Sequence, residues 1–470
     1  MSPGISRWQH TDDGLGRLVR LIPDSAPGSE RAAIKRLFNH RLNADATDAR
    51  DTWQSIVDGT SPLWTSITPA KRELIRSFFN HLNLEILKRA RPPTSTFDFT
   101  QASVGNLFLT GARLFTGSFE SAIYLVGSIC GVPSDLVRVI PAINSNFSHH
   151  ISASLEDGSV IVGQNSISHP NIVPGSPQSN RRPSLLLADG DEQEDEFMSA
   201  QDVVSYEDDH LPGSLPSLRN KNITFSKSQT EDLPCRISRI WYINPYGQEI
   251  RPPANPRVLE ALNDSQAIIY SIGSLYTSII PSIILRGVGK AIAMSPARHK
   301  ILILNGSLDR ETGPPSNPFT AVDFVEAIVR AGEESRGRGL LGGQRRYTDT
   351  VMTTLAHAGS TAPTIIEPPP SGRPLPYLSY VTHLVHLDGP GTPRVDRDQL
   401  NAMGIETLRL YGRKVTSDDG QTVIGMRYDP TALIQALEVV MGKKGDAMVR
   451  GGQGGGVSRR NTLEGAWKEK

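Results

Sequence analysis

Cysteine is nearly absent: Cys130 and Cys235 are the only two in 470 residues. Two thiols cannot build a disulfide framework or a cysteine-based zinc site, so a reducing compartment, the cytoplasm, is the expected setting. An excess of either charge is also missing, because Lys+Arg and Asp+Glu stand at 49 each and the formal net charge is zero. Nucleic-acid binders carry a clear basic surplus, so that class is excluded as an expectation. The first twenty residues hold no apolar run of the signal-peptide kind. The longest apolar stretch, 267–293, is broken by Gly273, Ser274, Pro281, Arg286 and Lys290. A spanning helix needs about 20 mostly apolar residues, so no membrane segment is expected. Ser/His/Asp elbows, Walker loops and HExxH patterns are absent as well.

What is present is a chain long enough to bury a large core, with helical signals at its start. Apolar spacing predicts helices over 32–42 and 70–89, the latter ended by Pro92-Pro93. Ser103 and Ser118 are placed to cap helices over 104–115 and 119–130, and Gly131 to close the second. Residues 138–142 read as a short strand. Alternation around Asp157-Gly158 predicts a β-hairpin over 151–163, since that pair tolerates positive φ.

Composition changes after His169. Residues 171–235 are rich in Pro, Ser and Asn, with acidic clusters at 189–196 and 207–209. So few large apolar side chains cannot offset ordering entropy, and a disordered acidic insertion is expected. Ordered structure returns with a strand over 237–244 and a helix opened by Asn255-Pro256. Thr320 and Asp323 form a capping-box pattern for a helix to about Arg330. Gly/Arg-rich and Pro-rich linkers are read at 331–346 and 363–374. A strand is expected at 380–386, another at 421–429, and a helix over 430–441. The expected organisation is one α/β domain in two parts, 1–170 and 236–441, divided by the insertion and followed by a disordered tail, 442–470.

The densest chemistry lies in 267–281, AIIYSIGSLYTSIIP. An Ile-rich strand ends in Gly273-Ser274, hydroxyls come next at Tyr276, Thr277 and Ser278, and a strand-like KILILN run lies further on. This is a βαβ unit, which presents turn N–H groups to anions beyond the strand's carboxyl end. Arg286 and Lys290 add positive charge nearby. A second cluster, Asn106, Thr110 and Arg113, falls on one helical face after Gly105; a ligand cleft and a solvent face fit it equally. His149-His150 cannot chelate one ion, because adjacent residues of an extended segment point oppositely. His383 and His386 are split the same way in a strand. After KILILN, Asp309 is a weak candidate for a metal held by phosphates and Arg310 for a phosphate contact. A helix cap and a surface ion pair are the ordinary alternatives.

At these residues the chain resembles the 2-phospho-L-lactate transferase (CofD) family and its YvcK-type bacterial relatives. The segments that carry the likeness are Gly273–Ala293, GNLFLTGARLFTG at 105–117, 118–133, Val139–Ala142 and ASLEDGSVIVGQ at 153–164. NPYGQEI at 244–250, LNGSLDRETG at 304–313 and AVDFVEAI at 321–328 resemble the eukaryotic, especially fungal, branch. The likeness covers 14–330, and less of it continues to about 440. It implies a Rossmann-like, three-layer αβα fold with a mainly parallel sheet, plus the hairpin and the insertion. The family transfers a 2-phospholactyl group from a guanosine diphosphate conjugate to a deazaflavin, with magnesium. YvcK-type members resemble UDP-sugar-binding regulators instead.

Carried across, the likeness implies a nucleotide-phosphate site at Gly273, Ser274, Leu275, Thr277 and Ser278, with Gly105, Asn106 and Arg113 from the second segment. Magnesium is implied by the resemblance alone. Tyr276 or Phe108 would have to supply a deazaflavin slot. The family's opening strand and Gly-rich loop have no counterpart, since the likeness begins only at 17–23 (RLVRLIP), just past where those elements would lie. An exon lost upstream is the favoured explanation; a shortened, inactive paralogue and a divergent filler segment are the others. A chain so shortened is expected to be unstable or poorly soluble. Two functions stand: a CofD-type transferase and a non-catalytic UDP-sugar-binding regulator. The expected ligand is a nucleotide diphosphate or UDP-sugar, and a homodimer is the assembly to test.

Overall fold

The computed structural model describes residues 28–90, 97–145, 149–168, 232–337, 375–416 and 423–442, with Ile22, Ala26, Leu215 and Leu218 as isolated positions. Most of the 171–235 insertion, the Pro-rich linker, the tail and the start of the chain lie outside the described residues.

Helices come first: α1 Glu30–Asn39, α2 Ala46–Asp58, α3 Pro69–Arg89, α4 Val104–Thr116 and α5 Phe119–Cys130. Their starts are set by side-chain oxygens that satisfy orphan N–H groups. Ser29 accepts from Ala32, Asp45 from Thr47 and Asp48, Ser103 from Asn106, and Ser118 from Ser121. Gly131, at φ 64°, takes the left-handed cap that ends α5. These five helices enclose a separate core around Trp53, Phe79 and Phe108. Trp53 stands edge-on to Phe79, and Phe108 edge-on to both Phe78 and Phe79.

Residues 138–142 form no strand, contrary to the sequence reading. Their task is different, because the carbonyl of Ala142 accepts from the Asn255 N–H and so ties the helical part to the α/β part of the chain. The hairpin expected at 151–163 is present as β1 His150–Leu155 and β2 Val160–Val162, with Gly158 at φ 83°. It leads into α6 Gln164–Ser168. After the insertion β3 Ile237–Ile243 pairs antiparallel with β1, and β4 Glu249–Ile250 pairs with β3, giving a sheet of order β2-β1-β3-β4.

Then the βαβ pattern holds. Helix α7 Pro256–Asp264, capped by Asn255, precedes β5 Ala267–Tyr270. A π-turn Leu275–Ile279 runs into α8 Ile280–Ile283 and α9 Val288–Met294, and β6 His299–Ile303 comes next. The Thr320–Asp323 capping box opens α10, which extends past the expected end to Ser335. The rest is β7 His383–Leu387, α11 Arg397–Ala402, β8 Glu406–Leu410, β9 Gly412–Thr416, β10 Val423–Tyr428 and α12 Pro430–Val440.

Strands β5-β6-β7-β8 form one parallel sheet in sequence order. Period-two alternation sends its side chains to two faces. Leu302, Leu304 and Leu384 pack with α9 and α10 in the main core, while Ile301, Ile303, Val385 and Leu387 meet Leu433 and Leu437 of α12. Helices thus cover both faces, and the fold is α/β. Among the described residues β5 has no neighbour on its outer side. No helix among them is long and apolar enough to cross a membrane.

Tyrosine hydroxyls help to seat the antiparallel sheet on this unit. The Tyr242 hydroxyl donates to the Pro281 carbonyl at 3.0 Å, and the Tyr276 hydroxyl to the Ile237 carbonyl at 3.0 Å. Arg239 bridges Glu249 of β4 and Glu334 of α10. The turn after β5 is therefore held from two sides.

Candidate functional site

The parallel sheet brings three loops to its carboxyl end: 271–274 after β5, 304–312 after β6 and 388–392 after β7. Asn305 joins the first two, donating from Nδ2 to the Gly273 carbonyl at 3.3 Å. Gly273 cannot carry a side chain here, since a Cβ would stand 2.9 Å from the Cβ of Ser278. The turn is tight because the π-turn folds straight back over it. Ser278 and Ile279 N–H groups both return to the Ser274 carbonyl. Among the described residues the N–H groups of Ser274 and Leu275 meet no acceptor.

The next two N–H groups are not open. Glu311, from the 3-10 turn Arg310–Thr312, is 2% exposed and reaches under the turn. Its Oε2 accepts from Tyr276 N–H at 2.9 Å and Thr277 N–H at 3.0 Å. Its Oε1 accepts from the Ser168 hydroxyl at 2.8 Å and from the Thr277 hydroxyl. Ser168 also donates to Thr277 Oγ1 at 3.1 Å. A buried carboxylate thus sits where the turn's dipoles favour an anion. Burial first, and then the negative charge of Asp309, push its pKa up to about 7.

Asp309 behaves as a cap. Its Oδ1 accepts from Glu311 N–H at 3.1 Å and from the Thr312 hydroxyl at 3.1 Å, and burial raises its pKa. Magnesium prefers an open set of oxygens, with one or two carboxylates and substrate phosphates. Asp309 and Glu311 both spend their oxygens inside the protein, so this donor set does not fit a protein-held magnesium ion. No group of three or more His, Cys, Asp or Glu among the described residues could hold a metal. Arg310 does not face the turn with its Nε, which donates to the Ile167 carbonyl at 3.2 Å.

The sequence-read residues divide. Gly273, Ser274, Leu275, Thr277 and Ser278 form the turn itself, with Leu275 fully buried beneath it. Gly105, Asn106 and Arg113 lie on α4, whose main neighbours are α3, α5 and α1 in the helical core. Asn106 is 4% and Thr110 8% exposed, so the polar stripe is no solvent face; the Thr110 hydroxyl returns to the Asn106 carbonyl. Neither proposed aromatic opens a slot: Phe108 is fully buried and Tyr276 is 5% exposed. His383 and His386 fall on opposite faces of β7, as their spacing requires.

Glu311 and Ser168 escaped the sequence reading. Glu311 could have been suspected, being an acid two residues past Asp309 in the loop after β6. Ser168 carried no signal, because the 143 positions between it and Glu311 hide their contact.

Two surface cavities are formed elsewhere. One of about 210 Å³ lies among Trp241, Arg251, Arg286 and the end of α10. The other, about 300 Å³, lies between Glu30, Lys71 and Cys130. Neither includes a turn residue, and the Cys130 thiol is pushed up to about 12 by burial, which makes it inert.

The family model described as 2-phospho-L-lactate transferase CofD matches residues 16–363. An uncharacterized protein of Saccharomyces cerevisiae is 40% identical over 316 residues, which are 64% of this chain and 66% of that protein. The chain therefore spans just under two thirds of that relative's length. The gluconeogenesis factor of Bacillus subtilis is 23% identical over 231 residues, 49% of each chain. A crystal structure of a Bacillus halodurans protein aligns over 90% of this chain and 96% of its own at 17% identity, with a TM-score of 0.42.

Proposed function

The chain belongs to the 2-phospho-L-lactate transferase CofD family, and we propose that it binds a nucleotide diphosphate conjugate at the turn Gly273–Ser278. The observation that carries this reading is the N–H group of Ser274, free of a protein acceptor among the described residues and on a partly exposed residue, at the carboxyl end of a parallel strand. Ligands of open α/β sheets bind at such ends, and turn amides favour phosphate oxygens. The Ser278 side chain, partly exposed, adds a hydroxyl beside that N–H group. Transfer of a phospho-linked group from the conjugate is the activity proposed. The polypeptide's part in it is positioning and charge stabilisation, with no side-chain nucleophile required. No step is assigned to a metal.

A second reading is supported by the names of the bacterial relatives, which are gluconeogenesis factors. In that reading the same turn holds a UDP-sugar, and the protein signals without catalysis. Thermal-shift titrations with UDP-N-acetylglucosamine, GDP and a deazaflavin separate the two. Stabilisation by GDP together with the deazaflavin supports transfer, and stabilisation by the UDP-sugar alone supports sensing. If none of the three moves the melting midpoint, both readings fail.

A further inference from the structure

Glu311 is the point where three separated segments meet. It comes from the loop after β6, receives the N–H groups of Tyr276 and Thr277 from the turn after β5, and receives the Ser168 hydroxyl from α6. No other side chain among the described residues accepts the Tyr276 and Thr277 N–H groups, so the shape of the π-turn rests on this carboxyl. The adjacent amide on a partly exposed residue, Ser274, is the one left open. Moving Tyr276 and Thr277 moves it too, because two successive N–H groups back-bond to the Ser274 carbonyl.

We propose that Glu311 is a positioning residue. By fixing the Tyr276–Thr277 amides it aims the Ser274 amide at the ligand phosphate, and through Ser168 it couples that aim to the hairpin β1–β2. The phosphate part of this inference rests on the nucleotide reading above; the hold on the turn does not. Glu311 stays in place when ligand binds, and the phosphate takes the outer amide of Ser274. The competing arrangement, in which phosphate displaces the carboxylate from the inner amides, predicts the opposite mutational sign.

The experiment uses the full chain and three variants: Glu311→Ala, Glu311→Gln and Ser168→Ala. Gln keeps an acceptor for both amides and places its NH2 toward the Thr277 and Ser168 oxygens, so it should rescue what Ala loses. The first readout is hydrogen exchange of peptides covering 271–282, which needs no ligand. Glu311→Ala should exchange about tenfold faster or more there, with Gln close to wild type and Ser168→Ala between them. The second readout is calorimetric affinity for UDP-N-acetylglucosamine and GDP. Glu311→Ala should bind about tenfold more weakly and Glu311→Gln within about twofold of wild type.

Should Glu311→Ala fail to fold, the Gln and Ser168→Ala chains still decide the matter, since both keep the two-amide acceptor. Gln exchanging as fast as an unprotected loop would overturn the hold. Tighter nucleotide binding by Ala or Gln would overturn the aim, because it would make Glu311 a competitor of the phosphate. If wild type binds neither probe, the nucleotide reading fails while the exchange result stands on its own.

Discussion

The Met426 amide donates to the Gly306 carbonyl at 2.7 Å, and a Cβ added to Gly306 would stand 2.0 Å from the Met426 carbonyl oxygen. Strand β10 is therefore seated directly on the loop after β6, one residue from the asparagine that ties that loop to the Gly273 turn. Gly389 of the next loop also lies against this residue, since a Cβ there would stand 2.8 Å from the Met426 sulfur. The β9–β10 pair thus packs on the loops after β6 and β7 at the sheet's carboxyl end.

Gly306→Ala should consequently unseat β10. The clash is with backbone, which cannot rotate away, so the expected loss is about 1–3 kcal/mol. A lower urea midpoint with an unchanged slope would report it. Faster proteolysis between β9 and Tyr428 should accompany the loss. A wild-type midpoint would mean that β10 does not rest on this loop.

Glu311 should make stability depend on pH in an unusual direction for an acid. Its folded pKa is raised from 4.5 to about 7, so the native state holds the proton more tightly than the unfolded chain. Its contribution is then fully favourable below about pH 4.5 and is lost as pH rises toward 7. The span is about 3 kcal/mol as an upper figure, at 1.36 kcal/mol per unit. Glu311→Gln carries no proton to lose. Denaturant melts at pH 5, 6, 7 and 8 should show the variant gaining on wild type throughout that range. Parallel profiles for the two chains would remove Glu311 as the cause.

Glu30 works in the opposite sense in the helical part. Hydrogen bonds from Lys71 and Thr68 lower its pKa from 4.5 to about 2. That support is present above pH 4.5 and is lost as pH falls toward 2. Lys71 is 42% exposed and screened by solvent, so the expected worth is only about 1 kcal/mol. Glu30→Gln should lower stability by that amount at pH 6 and by almost nothing near pH 2. A pH-independent difference would contradict the pairing.

The parts of this fold legible in the sequence are those written locally. Caps at Ser103, Ser118, Asn255 and Thr320 fix helix starts through contacts two or three residues away, and each lies where its spacing said. The hairpin at Asp157-Gly158 and the βαβ unit are local in the same sense. The segment 138–142 misled because Val and Ile suit a strand, yet a strand needs a neighbour and none lies beside it among the described residues. The site was half legible. Gly273 and its hydroxyls announce a tight polar turn, but the carboxyl that occupies it arrives from 34 residues on and the serine that completes it from 109 residues back. Helix α4 shows the converse, since a polar stripe on an apolar helix looks the same in sequence whether it lines a cleft or is buried among helices.

Ser274 offers the most direct test of the turn as a ligand site. Its side chain is partly exposed, its N–H is open among the described residues, and Asp309 takes its hydroxyl. Ser274→Tyr places a ring beside its own open amide while leaving the inner amides on Glu311. Affinity for UDP-N-acetylglucosamine or GDP should fall about tenfold or more, the worth of losing one charge-assisted contact. Ser282→Tyr, on the exposed side of α8, is the matched control and should bind as wild type. Melting midpoints of both variants, taken without ligand, separate lost affinity from lost fold. Full affinity in a folded Ser274→Tyr chain would leave Gly273–Ser278 as a structural turn only. The phosphate would then have to be sought on the loops after β6 and β7.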